Sequence, residues 1–492
     1  MFAASWNWVD AYLQAEHGDR FPALYRMLRQ AMVARRVLIL LDGLDEGGEK
    51  RDEIERHVVE VLAVQGHTIL ATSRPDGIDG ARFGRFHRLE LSPLTDAQQQ
   101  LALGQRLGKE KASGLIPFLR DRVPTDGDTG QKITSNPLML SMVASIFELR
   151  EGLEMPKTVV GLYDVAIEAM LARAGARSNA ADRALLQAVF FGAHCRKSRA
   201  ITLQDLQTAA QQVSNGEAAL ASLLKRVKQD RMPLLSLLQL SPLRVQASHL
   251  SFQEYFAARS VCEGKALPTP PWQLEAWWSN MVRLGREMGE DFGRGLLKAP
   301  GASRIKQEQT RLQATFKGDA PTAASALSAV LAVATSLGEL KIGNVGNKGG
   351  LELRADMKRL DLSKRKLGDA AACFIAAFTS VRKPSLTFVD ISSNSIGNAG
   401  MKYWGESLLA SSTSKLSAIK CDAFEVSSGA TSADLSGKGI TVAAATLLAG
   451  IVKFNGAVKT LDLGFNDIGD EGAKALASAL EVNGALTTLW LT

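Results

Sequence analysis

The residues best placed to do chemistry stand together in Leu40-Leu41-Asp42-Gly43-Leu44-Asp45-Glu46, directly after the apolar run Val37-Leu38-Ile39. Three carboxylates fall within five residues. An aspartate that ends a hydrophobic strand can hold a magnesium ion through the ion's waters, because this hard cation prefers oxygen ligands and keeps much of its hydration shell. Asp42 is that candidate. Asp45 and Glu46 can orient and polarise a water for attack on a terminal phosphate, and Arg74, in Ser73-Arg74-Pro75, can meet the negative charge of that phosphate. A plainer reading stays open for each: the two acids as caps of the helix that follows, Arg74-Pro75 as an ordinary turn.

These residues need elements to position them. Residues 20–36 carry apolar side chains at Leu24, Leu28, Ala31 and Met32, a helical stripe, and run into a predicted strand over 37–41. A helix is predicted over 50–64, with Ile54, Val58, Val61 and Leu62 on one face, then a strand over 68–72 and a third strand over 86–91. Continuous apolar strands separated by amphipathic helices predict a parallel sheet covered on both faces. Ligands of such sheets sit at the carboxyl ends of the strands, where the acid cluster and Arg74 both fall.

The partner such acids need is a glycine-rich loop, G-x-x-x-x-G-K-[ST], whose backbone N–H groups and lysine surround phosphates. No such string occurs in the 492 residues. The nearest, Gly343-Asn344-Val345-Gly346-Asn347-Lys348-Gly349, has the wrong spacing and reads as a loop of a repeat. Charge-assisted hydrogen bonds are each worth roughly 1.5–3 kcal/mol, so losing three or four removes on the order of 5–10 kcal/mol. A micromolar site has only about 8 kcal/mol in total.

Two further segments complete a pattern: Ser135-Asn136-Pro137-Leu138-Met139-Leu140, and Ser248-His249-Leu250-Ser251-Phe252-Gln253-Glu254-Tyr255-Phe256-Ala257-Ala258. With the DGLDE strand and the Ala71-Thr72-Ser73-Arg74-Pro75 strand end, in this order, the chain resembles the NACHT-type NTPases of NOD-like receptors, within the STAND class. The resemblance makes the first strand a Walker B element and the second a sensor. It implies that Pro137 packs near an adenine and that His249 reaches a phosphate of bound ADP, and it implies ATP or ADP with Mg2+ as the cofactors of the parent family. His249 also has the plainer reading of a satisfied histidine. In that family a phosphate-binding strand precedes Walker B, and only about 36 residues stand upstream here, so a truncated record is expected. Without that strand, residues 68–72 would keep an unpaired edge or pair directly with 86–91. Tight nucleotide binding by this chain is not expected, and any hydrolysis in a longer parent would be slow and regulatory.

From 95 to 300 the apolar spacing is helical, over 96–108, 113–122, 136–149, 159–174, 182–195, 203–213 and 217–229. Leu237-Leu238-Gln239-Leu240 and Arg244-Val245-Gln246-Ala247 fit the two-stranded wing of a winged helix. A winged helix can bind DNA, but this wing carries little excess of Lys or Arg to neutralise phosphates. Trp272, Trp277 and Trp278 follow a Pro-Thr-Pro-Pro stretch and read as packing.

The last third repeats one phrase. Leu360-Asp361-Leu362-Ser363, Val389-Asp390-Ile391-Ser392, Ala433-Asp434-Leu435-Ser436, Leu461-Asp462-Leu463-Gly464 and Leu489-Trp490-Leu491-Thr492 recur at intervals of 29, 44, 28 and 28 residues. That period belongs to strand-plus-helix leucine-rich repeats of the ribonuclease-inhibitor kind. The long interval is expected to hold a shortened unit around 416–421, and Asn394 and Asn466 to bond backbone groups left open by the turns. Such units stack into a solenoid whose concave strand face binds a protein ligand. Lys358, Thr387, Lys459, Asp462, Thr488 and Trp490 are exposed positions there. The array stops at Thr492 inside a repeat strand without a polar cap, so truncation at this end is expected too.

Composition bounds the rest. The net charge of +7 comes from 58 basic and 51 acidic residues, with no block of five like charges, so a nucleic-acid or membrane surface is unsupported. Four separated cysteines without a C-x-x-C pair fit reduced thiols and a cytoplasmic location. The fold class expected is multidomain: an α/β P-loop-NTPase-like remnant over 1–94, an all-α small helical domain over 95–180, a winged helix domain over 181–264, a helical linker domain over 265–320, and an α/β leucine-rich-repeat solenoid over 321–492. The function expected is a nucleotide-gated signalling switch capable of self-oligomerisation. The alternatives are a repeat-based binding scaffold with an inert NTPase remnant and, further off, a DNA-binding regulator.

Overall fold

Two short helices with narrow apolar stripes, α1 (Trp8–His17) and α2 (Pro22–Val33), lead into strand β1 (Leu38–Leu41). The computed structural model describes residues 7–74, 78, 79, 81–125, 131–149, 155–173, 180–229, 231–305, 309–346, 350–382 and 385–491. The chain forms two compact units, one of residues 1–121, 134–153 and 166–253, the other of 122–133, 154–165 and 254–492. It is a multidomain assembly of mixed helix and sheet.

In the first unit a 3₁₀ turn over Leu44–Lys50, helix α3 (Arg51–Arg56) and a π-helical segment over His57–Leu62 carry the chain from β1 to strand β2 (Thr68–Ala71). The two strands pair in parallel, Leu38 opposite Thr68 through Leu41 opposite Ala71. Ile39, Leu44, Val58, Leu62 and Phe83 form the core beneath one face, with Leu41, Ile69 and Ala71 packed against it. The other face is open, since Leu38, Leu40 and Leu70 are 57%, 66% and 53% exposed. The expected cover on both faces is therefore not found.

The expected third strand over 86–91 is not formed either. Arg82 donates to Asp52 Oδ1 at 2.7 Å and to the buried Glu55 Oε2 at 3.1 Å, pinning the 81–86 turn onto α3. Burial raises the pKa of Glu55, while the hydrogen bond from Arg82 lowers that of Asp52. Phe86 stacks edge-on against Phe83 with ring centroids 5.1 Å apart. Beyond it the chain runs without a β-partner in the two-stranded sheet, and Leu89 and Leu91 are among the most exposed leucines. The Arg82 anchor holds the turn just before these residues on α3, and they pair with no strand.

Helices follow as the spacing predicts: α4 (Asp96–Leu107), α5 (Lys109–Asp121), α6 (Pro137–Leu149), α7 (Val159–Arg173) and α8 (Ala180–Cys195). Strand β3 (Ile201–Thr202), which the sequence reading missed, then precedes helices α9 (Leu203–Ala210) and α10 (Gly216–Lys228), strands β4 (Leu235–Leu240) and β5 (Leu243–Ala247), and helix α11 (Leu250–Cys262). The antiparallel order β3-β5-β4 is a three-stranded sheet, one strand more than the two-stranded wing. A buried pair, Arg226 Nη2 to Asp182 Oδ2 at 2.7 Å, joins α10 to α8.

In the second unit helices α12 (Ser279–Glu287) and α13 (Glu290–Leu296) pack with Trp272 and Trp278 in the core, as expected of packing tryptophans, while Trp277 is only half-buried. Strand β6 (Arg311–Thr315), helix α14 (Ala320–Val333) and strand β7 (Glu339–Gly343) form a parallel strand–helix–strand unit, Arg311 opposite Glu339, and β8 (Leu351–Arg354) returns antiparallel to β7. The strand–helix pattern thus begins before the first recognisable phrase. It continues as β9 (Arg359–Asp361), helix α15 (Asp369–Arg382), β10 (Phe388–Asp390), helix α16 (Asn398–Ala410), β11 (Ala418–Lys420), β12 (Glu425–Val426), β13 (Ser432–Asp434), helix α17 (Val442–Val452), β14 (Thr460–Asp462), helix α18 (Gly469–Leu480) and β15 (Thr488–Trp490). β9, β10 and β11 pair in parallel, as do β13, β14 and β15, each register advancing one unit at the same position.

The turns out of the strands are built twice over. Asp361, Asp390, Asp434 and Asp462 each accept through Oδ1 from the backbone N–H two residues on. Asn394, fully buried, donates to Leu362 O at 2.8 Å and Ile391 O at 2.9 Å and accepts from Arg365 N and Leu367 N, stitching one unit to the previous one. Asn466 repeats this toward Leu435 O, Leu463 O and Ile440 N. An alanine at 394 would strand four backbone groups away from water. Asn394→Ala is expected to lower unfolding free energy by about 2–4 kcal/mol, read by urea unfolding of the whole chain, with Asn398→Ala on the exposed surface as the near-neutral control.

Candidate functional site

Parallel register places the two strand ends side by side, so Asp42 and Thr72 are the next pair after Leu41 and Ala71. Thr72 Oγ1 donates to Asp42 Oδ1 at 2.5 Å and accepts from Gly43 N at 2.9 Å. Leu44 N donates to Thr72 O at 2.9 Å, so the chain folds over the end of β2. Gly43 has φ 70°, a left-handed turn that glycine adopts without strain. This turn brings Asp45 back over the rim. Arg74 N donates to Asp45 Oδ1 at 3.2 Å, and its guanidinium Nε stands 3.5 Å from Asp45 Oδ2.

One turn thus lays Asp45 on Arg74 and leaves Asp42 on Thr72 at the end of the neighbouring strand. Thr72, which sequence reasoning passed over, holds Asp42 and the start of the Gly43 turn; its signal was a hydroxyl side chain ending an apolar strand. Glu46 lies in the Leu44–Lys50 turn, and its side chain is outside the described residues, as are Pro75 and residues 347–349.

Pro137 and His249 enter by local routes. Asn136 Oδ1 accepts from Leu138 N at 2.9 Å, capping α6, and Pro137 takes the first helical position, where a missing N–H costs nothing. Ser135 O accepts from Leu94 N at 2.8 Å and so ties this cap to the segment before α4. His249, exposed, precedes α11; its Nδ1 accepts from Ser251 N at 3.2 Å and bonds the Ser251 hydroxyl at 2.7 Å. That bonding leaves the second ring nitrogen to carry the proton in the neutral ring. These local bonds give the Ser-Asn-Pro and Ser-His segments a helix-capping role in their own right.

The electrostatics of Arg74 extend further. His194, fully buried on α8, has its pKa pushed down to about 3, first by burial and then by the Arg74 charge. The rim arginine therefore lies within electrostatic range of the helix preceding β3.

An exposed single carboxylate at Asp42 suits a magnesium ion that keeps most of its waters. Among the described residues no group of three or more His, Cys, Asp or Glu converges as a metal cage. The phosphate side fits less well: the glycine-rich string is missing, and Arg74 already faces Asp45. No catalytic step follows from this arrangement.

Two outcomes are expected. Arg74 is more than a third exposed, so Arg74→Ala should cost only about 0.5–1 kcal/mol in stability. His194 is neutral when folded and protonates only near pH 3, whereas unfolded it protonates near 6.5, so stability is full above pH 6.5 and falls as pH drops toward 3. At pH 5 this term is about 2 kcal/mol. Urea unfolding at pH 5 and 7.5 should show a smaller pH difference for His194→Phe than for the native chain; an unchanged difference would count against this assignment.

Among the described residues no helix is long and apolar enough to cross a membrane. A search of curated proteins finds no match to the chain. A leucine-rich-repeat family model matches residues 382–403, which span β10 and the start of α16, and residues 458–477, which span β14 and most of α18; leucine-rich repeats are associated with protein interaction.

Proposed function

We propose that this chain is a partner-binding protein of NOD-like receptor type: its repeats form a solenoid that takes a protein ligand on the strand face, and its first unit carries the metal and sensor side of a nucleotide switch. The observation that carries the switch reading is that Asp42 and the Asp45–Arg74 pair both stand at the carboxyl ends of two adjacent parallel strands. Under this reading Asp42 serves a magnesium ion, Asp45 and Glu46 serve a water, and Arg74, Pro137 and His249 serve the nucleotide. In a parent with a complete phosphate site, nucleotide and repeat ligand would each bias one equilibrium between a closed monomer and an assembling form. The location is cytoplasmic in this reading.

A second reading has its own observation. The Asp45–Arg74 pair satisfies the two charges within the chain, which suits an inert remnant serving a repeat-based scaffold.

Fluorescent ADP titrated into the 492-residue chain with Mg2+ is expected to show no saturable binding at low micromolar concentration. Saturation there would refute the weak-binding expectation. Hydrogen exchange at millimolar ADP separates the two readings. Slowed exchange at Gly43, Leu44 and Arg74 amides supports the residual switch, and unchanged exchange supports the scaffold.

A further inference from the structure

The first N–H groups of a helix have no acceptor within it, and in α1 these are the amides of Trp8, Val9 and Asp10. Asn7 Oδ1 accepts from Val9 N at 2.9 Å and from Asp10 N at 3.1 Å. The third group, Trp8 N, donates to Nε2 of His57 at 3.1 Å, across 49 positions of the chain. The Trp8 and His57 rings also stack, 6° from parallel with centroids 4.3 Å apart, so one histidine supplies both an acceptor and a surface for the start of α1. Beside it Asn7 Nδ2 donates to Gln65 Oε1 at 2.7 Å, and His67 Nε2 bonds the same oxygen at 3.2 Å.

These partners assign the ring protons. A ring nitrogen that accepts from a backbone N–H carries no proton, so neutral His57 is protonated on Nδ1. His67 is the opposite tautomer, with Nε2–H directed at the oxygen that also accepts from Asn7. A second proton on His67 therefore leaves its bond to Gln65 intact. A second proton on His57 does not: it sets donor against donor at Trp8 N and puts an imidazolium at the positive end of α1. His57 is buried, and burial is what lowers its pKa below 6.5. The charges on the neighbouring elements are engaged elsewhere or exposed: Asp10 of α1 pairs with Arg29, Glu53 and Arg56 of α3 pair with Lys50 and Asp52, Arg35 acts on His67, and Glu60 is exposed.

We propose that His57 is a pH-sensitive latch: neutral, it holds the start of α1 in place, and protonated it releases that helix. Val9 of α1 packs on the core of Ile39, Leu44, Val58, Leu62 and Phe83, beneath the strand that ends at Asp42, so release uncovers part of that core. The sign follows from linkage. A released His57 takes its proton near pH 6.5 and a docked one only at lower pH. Docking is therefore complete above pH 6.5, and the ratio of docked to released α1 falls by about tenfold per pH unit below it, until the docked ring is itself protonated.

Hydrogen exchange on the whole chain, corrected for the intrinsic pH dependence of exchange, reads the latch. Protection of the Trp8, Val9 and Asp10 amides is expected to fall by about tenfold between pH 7.5 and pH 5, with a smaller loss at Leu185 and Leu186 inside α8. Unchanged protection in α1, or an equal loss in α8, which is global unfolding, overturns the proposal. In His57→Gln the side chain can accept from Trp8 N but takes no proton, so protection of α1 should not vary with pH; His67→Gln should keep the native pH dependence. The reverse pattern, or a pH dependence that survives in His57→Gln, overturns the assignment to His57. Thermal unfolding checks that both variants are folded. Nitrogen NMR shifts of the His57 ring in the native chain give a reading that needs no variant: the proton is expected on Nδ1 alone at pH 7.5 and on both nitrogens over the pH range in which α1 opens. A ring that titrates outside that range overturns the latch.

Discussion

A parallel β-strand cannot stand alone: it needs a hydrogen-bonded neighbour along its edges and apolar cover on its faces, and the two units of this chain meet that constraint to different degrees. In the second unit β9 to β11, and again β13 to β15, find the same residue position of the neighbouring unit, and helices from α14 to α18 cover the sheet side that Leu360, Val389, Ile419 and Leu461 present. Asn394 and Asn466 solve the remaining difficulty, the open backbone groups where a strand must turn sharply into a helix. Turn and stacking are thus one interaction, because the same asparagine bonds its own unit and the preceding one.

In the first unit the constraint is only half met. β1 and β2 have each other and a core below, but Leu38, Leu40 and Leu70 face outward, and the segment ending in Leu91 does not join them. The rim is nonetheless well built. Thr72 holds Asp42, and the Gly43 turn returns Asp45 over Arg74. Two short parallel strands are seldom stable without further packing, so the ion pairs of Arg82 with Asp52 and Glu55 and the stack of Trp8 on His57, ring centroids 4.3 Å apart, help to secure this sheet from the side.

The irregular repeat shows how the same constraint generates a feature when it is relaxed. Losing a helix would normally open the sheet. Here β12 covers the edge of β11 by folding back, Phe424 occupies the buried place of the asparagine, and α16 packs on α17 across the gap. Val426, buried in β12, takes the position that matches Ile396 in the preceding unit.

The sequence alone determined the strands and helices whose periodicity is local: 37–41, 68–72, most of the helices from 96 to 229, and the repeat phrase with its asparagines. It also marked Asp42, Asp45 and Arg74 as rim residues, because an apolar run fixes where a strand ends. It did not show that 86–91 would stay unpaired, since a short run containing Phe86, Leu89 and Leu91 reads the same with or without a neighbouring edge. Nor did it show β3, two residues long, or β6, whose Arg311-Leu312-Gln313-Ala314-Thr315 lacks the repeat phrase. Tertiary structure decided those, together with the role of Thr72, the nearness of Arg74 to His194, and the fold-back of β12 onto β11. Each depends on residues tens of positions apart meeting in space, and pairing partners, unlike periodicity, are not written in any local stretch of the chain.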